Sequence, residues 1–435
     1  MTAAIAEWGK LYENKVYSFG DTKSLNIAAA ICSELARLAT IELDSEVAGS
    51  ERAEYLNEQY GRILNKSRIF LEYACAKGGI ILKPFVLGDK ISVSIIQADS
   101  FTPTSFTSDG EINGAVFYDV IQKDGYFYTR LEEHSMNNGE YCIKNTVYES
   151  RSPDEPGKQV SLQSVDEWAE LEPECRIENI GRPLFTYLKM PAANTIDSSS
   201  PLGVSVFAKA TQLIKDAYEQ YTDLLWEFES GKRALYLDEC AVRRDEDGNP
   251  SLPQKRLYRM LSTGDDALFE DWSPEIREDH ILAGLDRILR SIEFNCGLAY
   301  GTLSNSQTVD KTAEEVRASK QRSYATVCDI QNALKKSLCE LIEIMDIYCD
   351  IYSLAPAGGY SVSFNFDDSI ICDRSAEFAE KLTLLEKSVI APWEMRAWYF
   401  NEDENTSRKM IGEINELQKC NNLAQGKQSI QKASV

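Results

Sequence analysis

Histidine is nearly absent from this 435-residue chain, which has only His134 and His280. Its eleven cysteines are scattered with no CxxC pair, so a Cys/His zinc cage has few ligands to draw on. Their odd number and spread read as reduced, mostly buried thiols. No apolar run approaches the roughly 18–20 residues needed to span a bilayer. The start, MTAAIAEWGKLYENK, lacks the charged-then-apolar layout of a signal peptide, so synthesis in the cytoplasm is expected. No GxxxxGK[ST] phosphate loop and no GxGxxG after a strand is found. A Ser-His-Asp site would need His134, in the turn-rich EEHSMNNGE and expected to be exposed, or His280, at a helix start. Neither has a nucleophile elbow nearby.

An excess of cations is missing too. Against 69 acidic residues stand 46 basic ones, a net charge of −23. A protein that grips DNA through its phosphates carries a basic surface, so the charge argues against an ordinary sequence-reading DNA binder. It does not argue against a conduit, because an acidic wall keeps a polyanion from adhering as it slides.

What is present is ordinary core-forming composition, 43% hydrophobic and 26% charged, arranged in distinct blocks. Apolar periodicity predicts helices over 24–43 and 49–76. From Gly78 to about Ile177, β-branched and aromatic segments alternate with the turn pairs Asp109-Gly110, Asp124-Gly125 and Asn138-Gly139, which predicts an antiparallel meander. A proline- and serine-rich crossing segment, 181–203, follows. The next helix is predicted over 203–230, with Phe207, Ile214, Tyr221 and Phe228 on its apolar stripe and Gly231 at its end. A compact insert with short strands occupies 231–277. A second helix, 278–300, carries Ile281, Leu285, Ile288 and Ile292. The polar stretch 301–311 then separates it from a very long helix, 312–352, which at about 1.5 Å per residue reaches about 60 Å. The strand YSVSFNF and shorter helices from Ser375 and Pro392 close the chain.

Three features could carry function. The stretch GTLSNSQTVDK offers Thr302, Ser304, Asn305, Ser306, Gln307, Thr308 and Lys311, and reads either as a plain linker or as a loop where something must pass. In the insert, Lys232, Arg233, Arg243, Arg244, Lys255, Arg256 and Arg259 interleave with acids. That mixture suits contacts between copies, contacts with a partner or DNA, or a solvated face. Asp367, Asp368 and Asp373 could hold Mg²⁺ for phosphoryl chemistry, although aspartates at a strand end are also common turn and cap chemistry.

The order of these parts, with PLFTYLKMPAANTIDSSSPLGVSVFAKA (183–210), WEFESGKRALYLDE, SIEFNCGLAYGTLSNSQTVDKTAEEVRASKQRSYATV (291–327) and the segment 365–404, resembles a tailed-bacteriophage portal protein of the siphophage kind. The resemblance implies an α+β fold and a cyclic ring oligomer, usually of twelve copies, at one capsid vertex. It implies a helical and antiparallel-sheet wing at 1–202, stem helices at 203–230 and 278–300, and a small α/β clip at 231–277. It further implies a DNA-facing tunnel loop at 301–311, a long helix and wing return strand at 312–374, and a short helical crown and tail at 375–435. The implied partners are other copies, capsid and scaffold proteins, terminase, head–tail connector proteins and double-stranded DNA passing non-specifically, with no membrane and no cofactor. The location implied is the virion, after synthesis in the host bacterial cytoplasm. A ring-forming head–tail or baseplate protein without DNA in its bore is the alternative, and a metal-dependent enzyme using the aspartates is a further one.

Overall fold

In this computed structural model the chain is described over residues 1–15, 22–41, 43–137, 139–152, 155, 157–231, 234–238, 258–261, 269–272, 277–305, 313–366, 374–387, 389–400, 404 and 406–412. It divides into two compact units, Met1–Phe366 and Asp367–Val435.

The first unit begins with α1 (Thr2–Tyr12) and α2 (Ile27–Thr40). The helix expected over 49–76 is two helices, α3 (Glu51–Leu64) and α4 (Ser67–Lys77). Asn65 and Ser67 flank the break, and such short polar side chains compete with the backbone and favour caps over helix interiors. Strand β1 (Leu43–Ala48) precedes α3, where sequence periodicity had continued a helix to 43. Its pairing partner lies some three hundred residues away, beyond the reach of local pattern.

The expected single meander is two sheets. β2 (Gly79–Leu87) and β3 (Lys90–Gln97) form one antiparallel sheet with β10 (Thr186–Lys189), in the order β10-β2-β3. The other runs in order through β4 (Phe101–Phe106), β5 (Ile112–Lys123), β6 (Tyr126–Asn137), β7 (Glu140–Ser150) and β8 (Lys158–Val160). Here β9 (Glu174–Glu178) also pairs with β7. Asp124 and Gly125, at φ 53° and 79°, make the two-residue turn between β5 and β6, which needs positive φ at both positions.

The crossing segment then returns over the α4–β2 junction so closely that only glycine fits. A Cβ on Gly203 would lie 2.0 Å from the carbonyl oxygen of Gly78. It leads into α5 (Thr211–Ser230), the insert strands β11 (Ala234–Asp238), β12 (Tyr258–Leu261) and β13 (Phe269–Trp272), and then α6 (Glu278–Cys296). β11 pairs parallel to β12 and antiparallel to β13.

The long helix α7 (Ala313–Tyr352) is 40 residues. Leu334, Leu338, Leu341 and Met345 on α7, Ile31 and Leu35 on α2, Phe70 and Leu71 on α4, and Ile80 and Leu82 on β2 are all fully buried. Burying an aliphatic or phenyl side chain contributes about 1.5–3 kcal/mol, so this helix–sheet core dominates the unit. Arg52 pins α3 to α7, donating from Nη1 to Asp346 at 2.8 Å and from Nη2 to Asp350 at 2.7 Å. β14 (Ser361–Phe366) then pairs antiparallel with β1, Leu43 opposite Phe366.

In the second unit, α8 (Arg374–Glu386) and α9 (Pro392–Phe400) meet through Phe378 and Tyr399, edge to face at 5.6 Å. Arg408 stacks over Trp393 at 4.2 Å.

His134 corrects a sequence expectation. It is not exposed but 2% accessible on β6, because alternation along the strand turns it inward between the sheets. There it meets Glu132 through Nε2 at 2.7 Å and the Tyr141 hydroxyl through Nδ1 at 2.6 Å. Lys83 of β2 reaches the same carboxylate at 2.6 Å, and Arg130 at 3.1 Å.

Candidate functional site

The helix pair α5–α6 is an antiparallel hairpin. Its insert end is closed by Arg277, whose Nη2 and Nε donate to Glu227 at 2.8 and 3.1 Å. Those hydrogen bonds hold the Glu227 carboxyl below its ordinary value. At the other end, Ala208 and Lys209 lie with Phe294–Gly297 around one cavity.

The apolar stripes read from sequence divide into three groups. Ile214, Leu285 and Ile292 are buried, and Tyr221, Ile281 and Ile288 are half-buried. Phe207 is buried but precedes the helix, since α5 begins at Thr211 after a 3₁₀ turn, Ala208–Ala210. Ser205 makes that offset: its hydroxyl oxygen accepts from the Phe207 N–H at 3.3 Å and satisfies a backbone donor outside the helix. Phe228 is 39% exposed, and Trp226 (62%), Leu282 (45%) and Phe294 (57%) on the same helix pair are exposed as well. A single chain leaves these large apolar side chains in water.

α6 ends at Gly297, left-handed at φ 72°. A Cβ there would lie 2.2 Å from the Thr326 hydroxyl oxygen of α7, so glycine permits both the helix end and the close approach of α7.

The polar loop starts immediately afterwards, and its root is clamped. Glu293 is completely buried. Its Oε1 accepts the backbone N–H groups of Gly301, Leu303 and Ser304 at 3.1, 2.6 and 2.9 Å, and its Oε2 accepts the Ser304 hydroxyl at 2.9 Å. One face further along α6, seven residues earlier, Asp286 accepts the Asn305 N–H at 2.8 Å and pairs with Arg290 at 2.6 Å. A buried carboxylate is tolerated only where donors converge on it, and here the donors are the loop backbone itself.

This sorts the expected loop residues. Thr302 and Asn305 are exposed. Ser304 is 7% accessible and turned inward, so the expectation that its hydroxyl faces DNA does not fit its place; it is an anchor. Ser306, Gln307, Thr308 and Lys311 lie outside the described residues, as do Lys232, Arg233, Arg243, Arg244, Lys255, Arg256 and the three aspartates Asp367, Asp368 and Asp373. Arg259 falls on β12, whose backbone alone is described. Glu293 and Asp286 were missed from sequence. Their signal was a pair of acids seven residues apart on one helical face, but nothing in that spacing distinguishes a buried acid from a solvated one.

Arg322, on the first third of α7, stacks between Phe294 and Tyr300, its guanidinium 4.8 Å from each ring centre. It therefore spans the end of α6 and the start of the loop.

Among the described residues no group of three His, Cys, Asp or Glu side chains converges to hold a metal, and no helix is long and apolar enough to cross a membrane. Against known families, residues 40–419 match the phage portal protein family, SPP1 Gp6-like. The chain belongs to that family. Its match takes in both sheets, the helix pair with its insert, the polar loop, the long helix and the described helices of the second unit. Membership makes this portal chain a structural protein of a bacteriophage capsid, in a family that serves DNA packaging. No curated protein matches it.

Proposed function

We propose that this portal chain closes into a ring of twelve copies at one capsid vertex and forms the channel through which DNA is packaged and later ejected. The observation that carries the reading is the set of large apolar side chains that the helix pair leaves exposed. Trp226, Phe228, Leu282 and Phe294 lie on elements whose other side is already filled. Exposed apolar area of this kind marks an interaction site, and a head-to-tail contact that closes on itself makes a cyclic ring. In this reading α5 and α6 are the stem, the insert 231–277 is the clip, 301–311 is the tunnel loop, and 1–202 with 312–374 forms the wing. The crown comes from 375–435.

The clip, with its alternating charges, docks terminase during packaging and head–tail connector proteins afterwards. Capsid and scaffold proteins surround the ring in the virion, following synthesis in the host bacterial cytoplasm. The role is mechanical and not enzymatic. The tunnel loop meets DNA with hydroxyls and amides, a chemistry suited to weak phosphate contacts without sequence preference, while the net charge of −23 keeps the duplex from sticking.

Electron microscopy of the purified full-length chain, viewed end-on, tests the assembly. Closed rings with a central bore are expected, and a chain that stays monomeric under every assembly condition would overturn the reading. Charge reversal at Arg243 and Arg244 is expected to weaken terminase and connector binding while leaving rings intact. Unchanged binding would remove the insert from that role.

A further inference from the structure

The two-stranded ribbon of β1 and β14 has one open edge, and its side-chain bonds fix which backbone groups lie there. Val47 of β1 donates its N–H to Asn57 Oδ1 at 2.9 Å, away from β14, so Val47 and Val362 are a pair without ladder hydrogen bonds. The Ser361 and Ser363 hydroxyls donate to the carbonyls of Ala48 and Glu46 at 3.3 and 3.4 Å. The Ser45 hydroxyl donates to the carbonyl of Ser363 at 2.9 Å. Those three carbonyls therefore turn into the ribbon. By alternation, the N–H and C=O groups of Val362, Phe364 and Phe366 turn outward, and none of them pairs with another described residue.

A free edge is a template for another strand, and folded proteins blunt it with proline, charge, bulges, shortness or cover. The other sheet edges outside the insert are treated in this way. β4 has Pro103 and two register shifts, β8 and β10 are three and four residues long, and β9 carries Glu174, Arg176 and Glu178. Residues 94–97 of β3 share a cleft of about 330 Å³ with residues 117–119 of β5. On the β1 side of the ribbon stands Asn57. β14 has none of these devices: SVSFNF contains no charge and no proline, its register with β1 is unbroken, and none of its six residues is buried. Two strands alone are marginal in water, so a third would complete the ribbon.

We propose that β14 takes an extended segment of the neighbouring copy as its third strand when the ring closes. The inference rests on the ring reading. Size decides the occupant. Six residues of strand edge offer far less than the roughly 1,200 Å² of a stable interface, so they cannot hold a partner that has no other grip on the chain. A neighbouring copy is already held through the helix pair, and an effective concentration of about millimolar lets a short strand add. Two β14 edges cannot pair with each other around the ring, because that contact is two-fold and stops at a dimer. The added strand is therefore a different segment of the neighbour, joined through main-chain hydrogen bonds.

Hydrogen exchange on the unaltered full-length chain, resolved to single amides, tests the contact. In the unassembled subunit the Val362, Phe364 and Phe366 amides are expected to exchange fast, while those of Ser363 and Asn365 are protected by β1. On ring assembly the three fast amides are expected to slow about tenfold or more. Unchanged exchange overturns the proposal, as does slowing that appears only when capsid protein or DNA is added. Val362→Pro removes one outward N–H and leaves the ladder to β1 intact, a place where an edge strand tolerates proline. The subunit concentration at half-assembly, read by sedimentation, is expected to rise about fivefold or more, equivalent to about 1 kcal/mol or more. Assembly of that variant at the unaltered concentration overturns the proposal. A photo-reactive side chain at an exposed position beside the edge, Ser363→p-benzoylphenylalanine, identifies the occupant. In rings mixed from isotopically light and heavy chains its cross-link is expected to join two copies, and a cross-link confined to one chain overturns the assignment. If the unaltered chain forms no rings, the ring reading itself falls, which that control reveals before either variant is considered.

Discussion

Two buried glutamates are stabilised in opposite ways, and the difference separates what holds the fold from what holds the loop. Glu132 lies between the two sheets, where Lys83 and Arg130 approach it as cations and His134 donates from Nε2. Burial by itself would raise its carboxyl, but the His134 hydrogen bond and the nearby charges together hold it far below the ordinary value. Among the described residues no cation pairs with Glu293; three backbone N–H groups and a serine hydroxyl satisfy it. Side-chain partners on two sheets make Glu132 a tie between elements. Backbone partners in one short segment make Glu293 a device for position.

The comparison predicts unequal outcomes when each acid is removed. Glu132→Leu leaves Lys83 and His134 largely buried without the carboxylate they share, on strands held in two sheets. Breaking one member of a buried ionic group costs about 3–5 kcal/mol, and a loss of that size in global stability by urea unfolding is expected. Glu293→Ala also strands four donors, but they belong to a segment that can swing out and take water. About 2–3 kcal/mol is expected, concentrated as faster hydrogen exchange at Gly301, Leu303 and Ser304. Glu293→Gln keeps the Oε1 acceptor and can donate to Ser304, so it recovers most of that loss. Equal global losses from the two glutamates would erase the distinction between tie and positioner.

Gly297→Ala sharpens the same contrast from the backbone side. Alanine at φ 72° is strained, and its Cβ meets Thr326. About 1–2 kcal/mol of destabilisation is expected, and Thr326→Gly in the same chain should return the part that comes from the clash. No recovery would assign the whole effect to the helix end.

Acid probes the tie between the sheets directly. Burial lowers the His134 pKa from its ordinary 6.5, more than Glu132 restores it. Burial also keeps the Tyr141 hydroxyl protonated to well above its usual range, so the tyrosine donates to Nδ1 while Nε2–H donates to Glu132. A group whose folded pKa is depressed binds more protons unfolded, so stability rises with pH across its window. The His134 contribution is therefore full above about pH 6.5 and is lost as pH falls below it. The Glu132 contribution is present above its ordinary 4.5 and is lost only in stronger acid. His134→Phe is expected to flatten the stability profile between pH 7 and 5; an unchanged slope would mean that another group titrates there.

Much of the architecture was legible because it is written in local periods. The 40-residue helix, the helix pair, the insert strands and the β5–β6 turn at Asp124-Gly125 all follow from patterns within a few residues of one another. The division into two sheets was not, because β10 joins β2 across about a hundred residues and β1 joins β14 across three hundred. His134 was misjudged for the same reason: EEHSMNN reads as polar surface until the strand alternation and the partners Lys83 and Tyr141 are known. The candidate loop was found by its composition, yet its anchor was not. Glu293 follows Ile292 in an amphipathic helix where an acid is usually solvated, and only the returning backbone at 301–304 makes it an acceptor.

The smallest expected effect on stability is also the sharpest test of the loop. If the root holds position and the residues beyond it meet DNA, removing 306–310 while keeping Glu293, Ser304 and Asn305 should barely change folding. Loop-closure free energy varies only logarithmically with length, so a shift below about 0.5 kcal/mol is expected, with rings of normal appearance. Packaging or retention of DNA should nevertheless fall. Ser304→Ala should do the reverse, costing about 1 kcal/mol through the lost hydrogen bond to Glu293 while leaving the DNA-facing chemistry in place. Normal packaging by the shortened loop would return 301–311 to the status of a linker. Normal packaging by Ser304→Ala, alongside a defect in the shortened loop, would confine the DNA contact to residues beyond the anchor.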